Sequence, residues 1–261
     1  MNFIEWLFSS YPNPSINGQW GVLHILVLVL SIATIIALAF IFRNKDDKTR
    51  YIVICVLAGL ILFLEITRRV INIIKTDDYS LNNLLYIFLP RPWCAISCWS
   101  IIIATIFRKK FMYNFACFTS LLCALIFFSY PSAGFNNKYI LFENFYSIST
   151  HALLLITSIT LITLKHTKFV YNEIWQEMVC LFVIFAYTML EIYGLKISDD
   201  PMYFMPNNEV QDILGLNYGA YLPLYIIFMF VYINIFYLID DRHKVKSIFK
   251  RNKNGKVEPK K

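Results

Sequence analysis

Apolar and polar positions alternate in long blocks along this chain, and the blocks decide the fold. Seven apolar runs stand out, at 20–42, 51–74, 92–107, 111–130, 145–164, 174–195 and 220–239. Most reach the ~20 residues that a helix needs to cross a bilayer. The third is shorter, but 84–89 extends it through a break at Pro90 and Pro92, where proline removes a backbone donor and bends a helix. The polar segments between the runs are brief, and no internal repeat is evident. The pattern predicts an all-α, polytopic membrane bundle of about seven transmembrane helices in a single domain, 1–261.

Composition agrees. Of 261 residues, 58% are hydrophobic and only 16% are charged, against roughly a quarter in soluble domains. The first run lacks a basic leader and a small-residue cleavage site, so it reads as a retained span.

Charge then orients the bundle. Eighteen Lys and Arg fall in the loop "RNKDDKTR", at Arg108–Lys110, at Lys165 and Lys168, and in the tail 240–261. The other side holds Lys75, Arg91, Lys138 and Lys196. The positive-inside rule therefore predicts an outer N-terminal segment, 1–19, and a cytoplasmic C-terminus. The net charge of +7 serves topology, which argues against a nucleic-acid partner. Membrane lipids are the expected partners, with anionic headgroups at the basic tail. A multi-pass protein of a bacterial plasma membrane is the expected location. The segment 196–219 mixes aromatic and turn residues, and its amphipathic pieces suit a lid over the outer mouth.

Depth along each span, at 1.5 Å per residue, brings candidate chemistry to one level. His24, Glu65, Arg68, Arg69, Cys94, His151 and Glu191 lie in the outer halves of five spans, while the inner halves are nearly all apolar. Ionisable groups in a membrane face the bundle interior. Glu65 with Arg68 and Arg69 has i+3 and i+4 spacing. It reads either as an ion pair stapling helices or as a clamp in which one arginine grips a headgroup phosphate. His24 and Glu191 read either as buried hydrogen-bonding groups or as groups that orient substrate. The six cysteines form no CxxC pair, so neither a disulfide framework nor a zinc site is expected, and no cofactor is implied. Cys55, Cys98, Cys117, Cys123 and Cys180 read as packing residues.

Cys94 differs because it opens a helix after "LPRP", where unpaired N–H groups favour a thiolate. His151, at similar depth on another span, could take its proton. Cys and His suffice for acyl transfer through a thioester, with helix N-terminal amides or Ser97 as oxyanion donors.

The motifs "WGVLHILVL" with His24, "LFLEITRRV" with Glu65, "LPRPWCAIS" with Cys94, "FENFYSISTHALLL" with His151 and "YFMPNNEVQDILG" resemble the YwaF-type bacterial integral membrane family. That family also includes eukaryotic transmembrane protein 164. The resemblance implies lipid acyltransferase activity, with Cys94 and His151 as the catalytic pair. A non-enzymatic transporter or lipid-binding protein with an outer-facing polar cavity is the alternative, since seven spans with intramembrane charges suit that role too.

Overall fold

The structure is a computed structural model that describes residues 2–8, 13–130, 132–197, 200 and 202–241. The basic tail expected at 240–261 lies outside them from residue 242 onward. Eleven α-helices form among the described residues. They are α1 (Phe3–Phe8), α2 (Val22–Phe42), α3 (Asp47–Lys75), α4 (Leu81–Phe88), α5 (Trp93–Phe107), α6 (Lys110–Ser129), α7 (Ser132–Phe135), α8 (Phe142–Thr163), α9 (Ile174–Met189), α10 (Glu209–Leu214) and α11 (Tyr218–Asp240). A 3₁₀ turn, Tyr171–Glu173, precedes α9, and a π turn, Leu190–Gly194, follows it.

Six helical stretches are long and apolar enough to cross a membrane, and a seventh arises if α4 and α5 count as one span. The protein is thus a multi-pass membrane protein, as expected from its apolar runs. The seven runs match α2, α3, α5, α6, α8, α9 with its flanking turns, and α11. Pro90 and Pro92 act as anticipated: α4 and α5 meet at a bend of 64°.

The chain divides into two compact units, 1–167 with 185–202, and 168–184 with 203–261. In the first, α6 packs on α5 and α8, α2 on α8, and α3 on both α5 and α8. α6 is the central helix, with 72% of its apolar window buried against 11% for α2. Its small residues explain this. Ala116, Cys117, Thr119, Ser120 and Ala124 are fully buried, and small side chains let membrane helices approach closely. α2 instead presents Val22, Val29, Leu30 and Phe40 outward, as a lipid-facing helix should.

Two sets of contacts tie the ends of this unit. At one end the segment before α2 pairs with the α6–α8 connection: Ser15 bridges Asn137, and Ile16 N–H donates to the Asn136 carbonyl at 2.8 Å. Lys75, closing α3, meets Glu143 in the first turn of α8 at 3.2 Å. Gly18 lies so close to the Phe135 backbone that a Cβ would fall 1.6 Å from its carbonyl oxygen, so only glycine fits there. At the other end Arg50 donates to the Leu164 carbonyl at 3.1 Å, the Arg108 guanidinium covers the Tyr51 ring at 3.4 Å, and Tyr51 donates to the Thr105 carbonyl at 3.0 Å.

In the second unit the buried Tyr237 hydroxyl donates to the Glu177 carboxylate at 2.9 Å. Asp240 and Asp241 accept from the Phe169 and Tyr171 amides. The short α10 is capped by Asn208 at one end and by Gly215, with φ of 62°, at the other.

Candidate functional site

The 29-residue α3 carries Glu65, Arg68 and Arg69 within five residues, and the structure pairs two of them and leaves the third apart. Glu65 is fully buried and Arg69 nearly so. Their side chains form an ion pair one turn apart, and Tyr146 of α8 donates to the second Glu65 oxygen. Arg69 also donates to the Phe88 carbonyl at 3.1 Å and to the Glu65 main-chain oxygen at 3.0 Å, and its guanidinium lies 5.4 Å from the Trp99 ring centre. Arg69 therefore staples α3 to the end of α4. Arg68 is not held in this way. Its guanidinium sits 5.1 Å over the Tyr146 ring, and its buried Nε has no hydrogen-bond partner.

Cys94 is the second residue of α5, half-buried. The helix that carries it, α5, packs on α3, which carries Glu65, Arg68 and Arg69. Ser97, one turn further, donates to the Trp93 carbonyl at 3.0 Å. With its single hydrogen used, it receives the Cys123 thiol at 3.3 Å. Ser97 is thus committed, contrary to its expected use as an oxyanion donor. The Ala95 and Ile96 amides both donate to the Pro92 carbonyl. The Trp93 and Trp99 indole N–H groups are buried without partners.

His151 sits on α8, and its Nδ1 lies 2.7 Å from the Ser147 carbonyl. A carbonyl can only accept, so Nδ1 carries the proton and Nε2 presents a lone pair, the tautomer that a general base requires. The ring stacks on Phe127 of α6 at 3.9 Å and 7°. α6 connects this imidazole to the opening turns of α5. Cys123 touches Ser97, its sulfur is within electrostatic reach of Cys94, and Phe127 lies one turn beyond Cys123.

Glu191 lies on the π turn after α9 and is fully buried. Tyr187 donates to one carboxylate oxygen at 2.9 Å, and the other is buried without a partner. Arg91, between the two prolines, acts electrostatically on Glu191 and donates to the Ile197 carbonyl at 2.6 Å. The broken α4–α5 span and the segment after α9 therefore meet through Arg91. Tyr146 and Tyr187 went unnoticed, since seventeen tyrosines in apolar runs carry no distinguishing pattern.

His24 stands apart from these groups. It is fully buried, with Trp20, Phe135 and Phe128 around it at 4.9, 4.7 and 6.0 Å between ring centres. Its Nδ1 accepts from the Trp20 amide at 3.1 Å. Its Nε2 is buried with no hydrogen-bond partner.

Two adjoining clefts open onto the cluster. One, of about 240 Å³, is lined by Arg68, Asn72, Tyr86, Ile87, Arg91, Pro92 and Asp200. The other, of about 210 Å³, shares Arg68 and Asn72 and adds Phe142, Glu143 and Tyr146. Among the described residues no group of three His, Cys, Asp or Glu side chains could hold a metal ion.

Residues 19–240 match the family model described as the TMEM164 family. No curated protein and no solved structure matches the chain.

Proposed function

The chain belongs to the TMEM164 family, and from that premise we propose that it is a membrane-embedded enzyme that transfers or hydrolyses an acyl chain on a lipid, with Cys94 as nucleophile and His151 as general base. The observation that carries this reading is the His151 hydrogen bond to the Ser147 carbonyl. It leaves Nε2 as a proton acceptor on a helix that packs against α5 and α6. In the reaction, His151 Nε2 takes the Cys94 proton and the sulfur attacks the ester carbonyl. The tetrahedral adduct collapses to a thioester, and the leaving alkoxide takes the proton back from the imidazolium. An acceptor hydroxyl or water then attacks the thioester, giving its proton to His151, which returns it to the Cys94 sulfur. The Phe127 stack and the Ser147 bond hold the imidazole plane during both proton transfers. Glu65, Arg69 and Tyr146 serve as a rigid support, and Glu191 positions Arg91.

We further infer seven crossings with the N-terminus outside. The Ser15–Asn137 bridge joins segments on either side of α2, α3, α4–α5 and α6. They can share one end only if the bent pair crosses the membrane as well. The basic loops then face the cytoplasm, the tail reaches anionic headgroups, and the Cys94 region opens to the outer leaflet.

The test is lipid analysis of cells expressing wild type, Cys94→Ala and His151→Ala, with capture of a hydroxylamine-sensitive acyl group on the purified protein. Activity is expected to vanish in Cys94→Ala and to fall at least about a hundredfold in His151→Ala. An unchanged lipid profile across all three would overturn the enzyme reading in favour of transport or lipid binding.

A further inference from the structure

The "LPRP" segment has a second consequence, carried by Arg91 and not by the cysteine after it. Proline at 90 and 92 ends α4 before α5 begins, and a residue preceding proline is held out of the helical region. Arg91 is thereby presented from the gap between two helices. Its guanidinium lies over the Tyr86 ring, 3.6 Å from the ring centre, and is tethered at one nitrogen to the Ile197 carbonyl. Its Nε is buried and unpartnered. Arg68 reaches the same 240 Å³ cleft from α3, braced over Tyr146, and its Nε is likewise buried and unpartnered. Two guanidiniums from separate elements thus line one small cleft, each positioned by a ring and each with an unused donor.

Charge and size point to the ligand. The lining itself holds Arg68, Arg91 and the Asp200 carboxylate, while Glu191, whose charge also acts on Arg91, is not among the lining residues. Glu65 does not neutralise Arg68, because its two oxygens are engaged by Arg69 and Tyr146. Buried donors left without acceptors are costly, and a guanidinium satisfies its fork best with an oxyanion. The cleft falls below the roughly 300 Å³ at which pockets take a whole drug-sized ligand. It suits a headgroup, not a whole lipid.

We propose that Arg68 and Arg91, with Asn72 as a neutral donor, form a binding site for a phosphate group at the break between α4 and α5. The inference deepens the proposed function, and it rests on that reading for the source of the phosphate, a lipid headgroup. Cys94 and His151 are not among the cleft's lining residues, so the two ideas separate experimentally.

The test uses the full chain purified in a neutral maltoside detergent. Binding is read by ligand-dependent thermal shift and calorimetry with three probes: dihexanoyl phosphatidic acid, inorganic phosphate and dihexanoylglycerol. Wild type and Cys94→Ala should bind the phosphatidic acid equally, and dihexanoylglycerol should not bind at this site. Arg91→Gln and Arg68→Gln should each weaken binding by about ten- to a hundredfold, as expected for loss of a charge-assisted bond. Arg91→Lys, which keeps the charge and loses the fork, should fall between. It also serves if Arg91→Gln does not fold, which thermal unfolding without ligand reveals. Arginine-dependent binding of the lipid alone assigns a headgroup site, and equal binding of inorganic phosphate assigns a site for free phosphate. Retention of wild-type affinity in both Arg68→Gln and Arg91→Gln, or equal binding of the phosphate-free lipid, overturns the proposal. Loss of acyl transfer in Cys94→Ala with binding intact leaves it standing, as does a wild type that binds and transfers nothing.

Discussion

Replacing Glu65 by glutamine tests how the charged core of this bundle is held. Glutamine keeps the shape of the side chain and an oxygen for Tyr146, but it removes the negative charge from Arg69, which is 5% exposed. Breaking a buried ion pair from one side costs about 3–5 kcal/mol, because the partner charge is left uncompensated. Arg69 here retains the Phe88 and Glu65 main-chain carbonyls, so the lower end, about 3 kcal/mol, is expected. In a chain of this size each kcal/mol corresponds to roughly 2–4 °C, so Glu65→Gln should unfold about 6–12 °C below wild type in detergent. Arg69→Gln should cost a similar amount, since it leaves the Glu65 carboxylate with Tyr146 alone. The double variant carries the argument. With neither charge present, nothing is stranded, and its loss should be smaller than the sum of the single losses by about 2 kcal/mol. Tryptophan fluorescence during thermal unfolding reads all three. Additive single losses, or a Glu65→Gln shift within about 1 °C, would refute the view that these two residues act as a closed pair.

Three other outcomes follow from the packing. Gly18→Ala drives a methyl into the Phe135 carbonyl and should destabilise that end of the bundle by about 1–3 kcal/mol, with faster proteolysis of the 13–20 segment as the readout. Phe127→Leu removes the ring under His151. It should lower acyl transfer about tenfold and shift its pH profile, with recovery in Phe127→Tyr, while an unmoved profile would deny the stack a positioning role. Burial pushes the His166 imidazole below its ordinary value, with the Arg50 and Arg108 guanidiniums adding to the effect. Between the lowered folded value and about 6.5 the unfolded chain binds more protons. Stability contributed by neutral His166 is therefore complete above about pH 6.5 and is lost as pH falls below it. Unfolding temperature measured between about pH 7.5 and 5.5 should drop less steeply in His166→Asn, and an identical slope would count against the assignment.

The spans were legible because lipid forces long apolar runs and confines charges between them. Their ends moved by only a few residues, as at α3, which starts at Asp47 under an Asp46 cap and not at Tyr51. The bend between α4 and α5 was legible too, from two prolines. What one-dimensional depth could not convey was which face of a helix each charge occupies. Arg68 and Arg69 sit at the same depth, yet a rotation of about 100° per residue sends one to Glu65 and the other to an open cleft. His24 shares the depth of the candidate site but turns toward Trp20, Phe128 and Phe135. Glu177, buried against Tyr237, went unremarked because it opens the sixth apolar run, where an acidic residue reads as an interfacial group.

The division between Arg68 and Arg69 explains how a site can persist inside an apolar bundle. An intramembrane charge is tolerated when it is paired or lines a polar cavity. α3 uses both solutions within adjacent residues. The Glu65–Arg69 pair, sealed by Tyr146, adds no net charge and locks α3 to α4 and α8. Arg68 can then remain oriented, because the charge of its neighbour Arg69 is already matched by Glu65, although the Arg69 Nη2 is itself buried without a partner. Removing the pair should therefore reduce phosphate binding even though neither member lines the 240 Å³ cleft. Removing Arg68 should leave the unfolding temperature of the ligand-free protein close to wild type. The reverse pattern, in which Arg68→Gln unfolds the bundle and Glu65→Gln/Arg69→Gln binds normally, would mean that the framework and the site have been assigned the wrong way round.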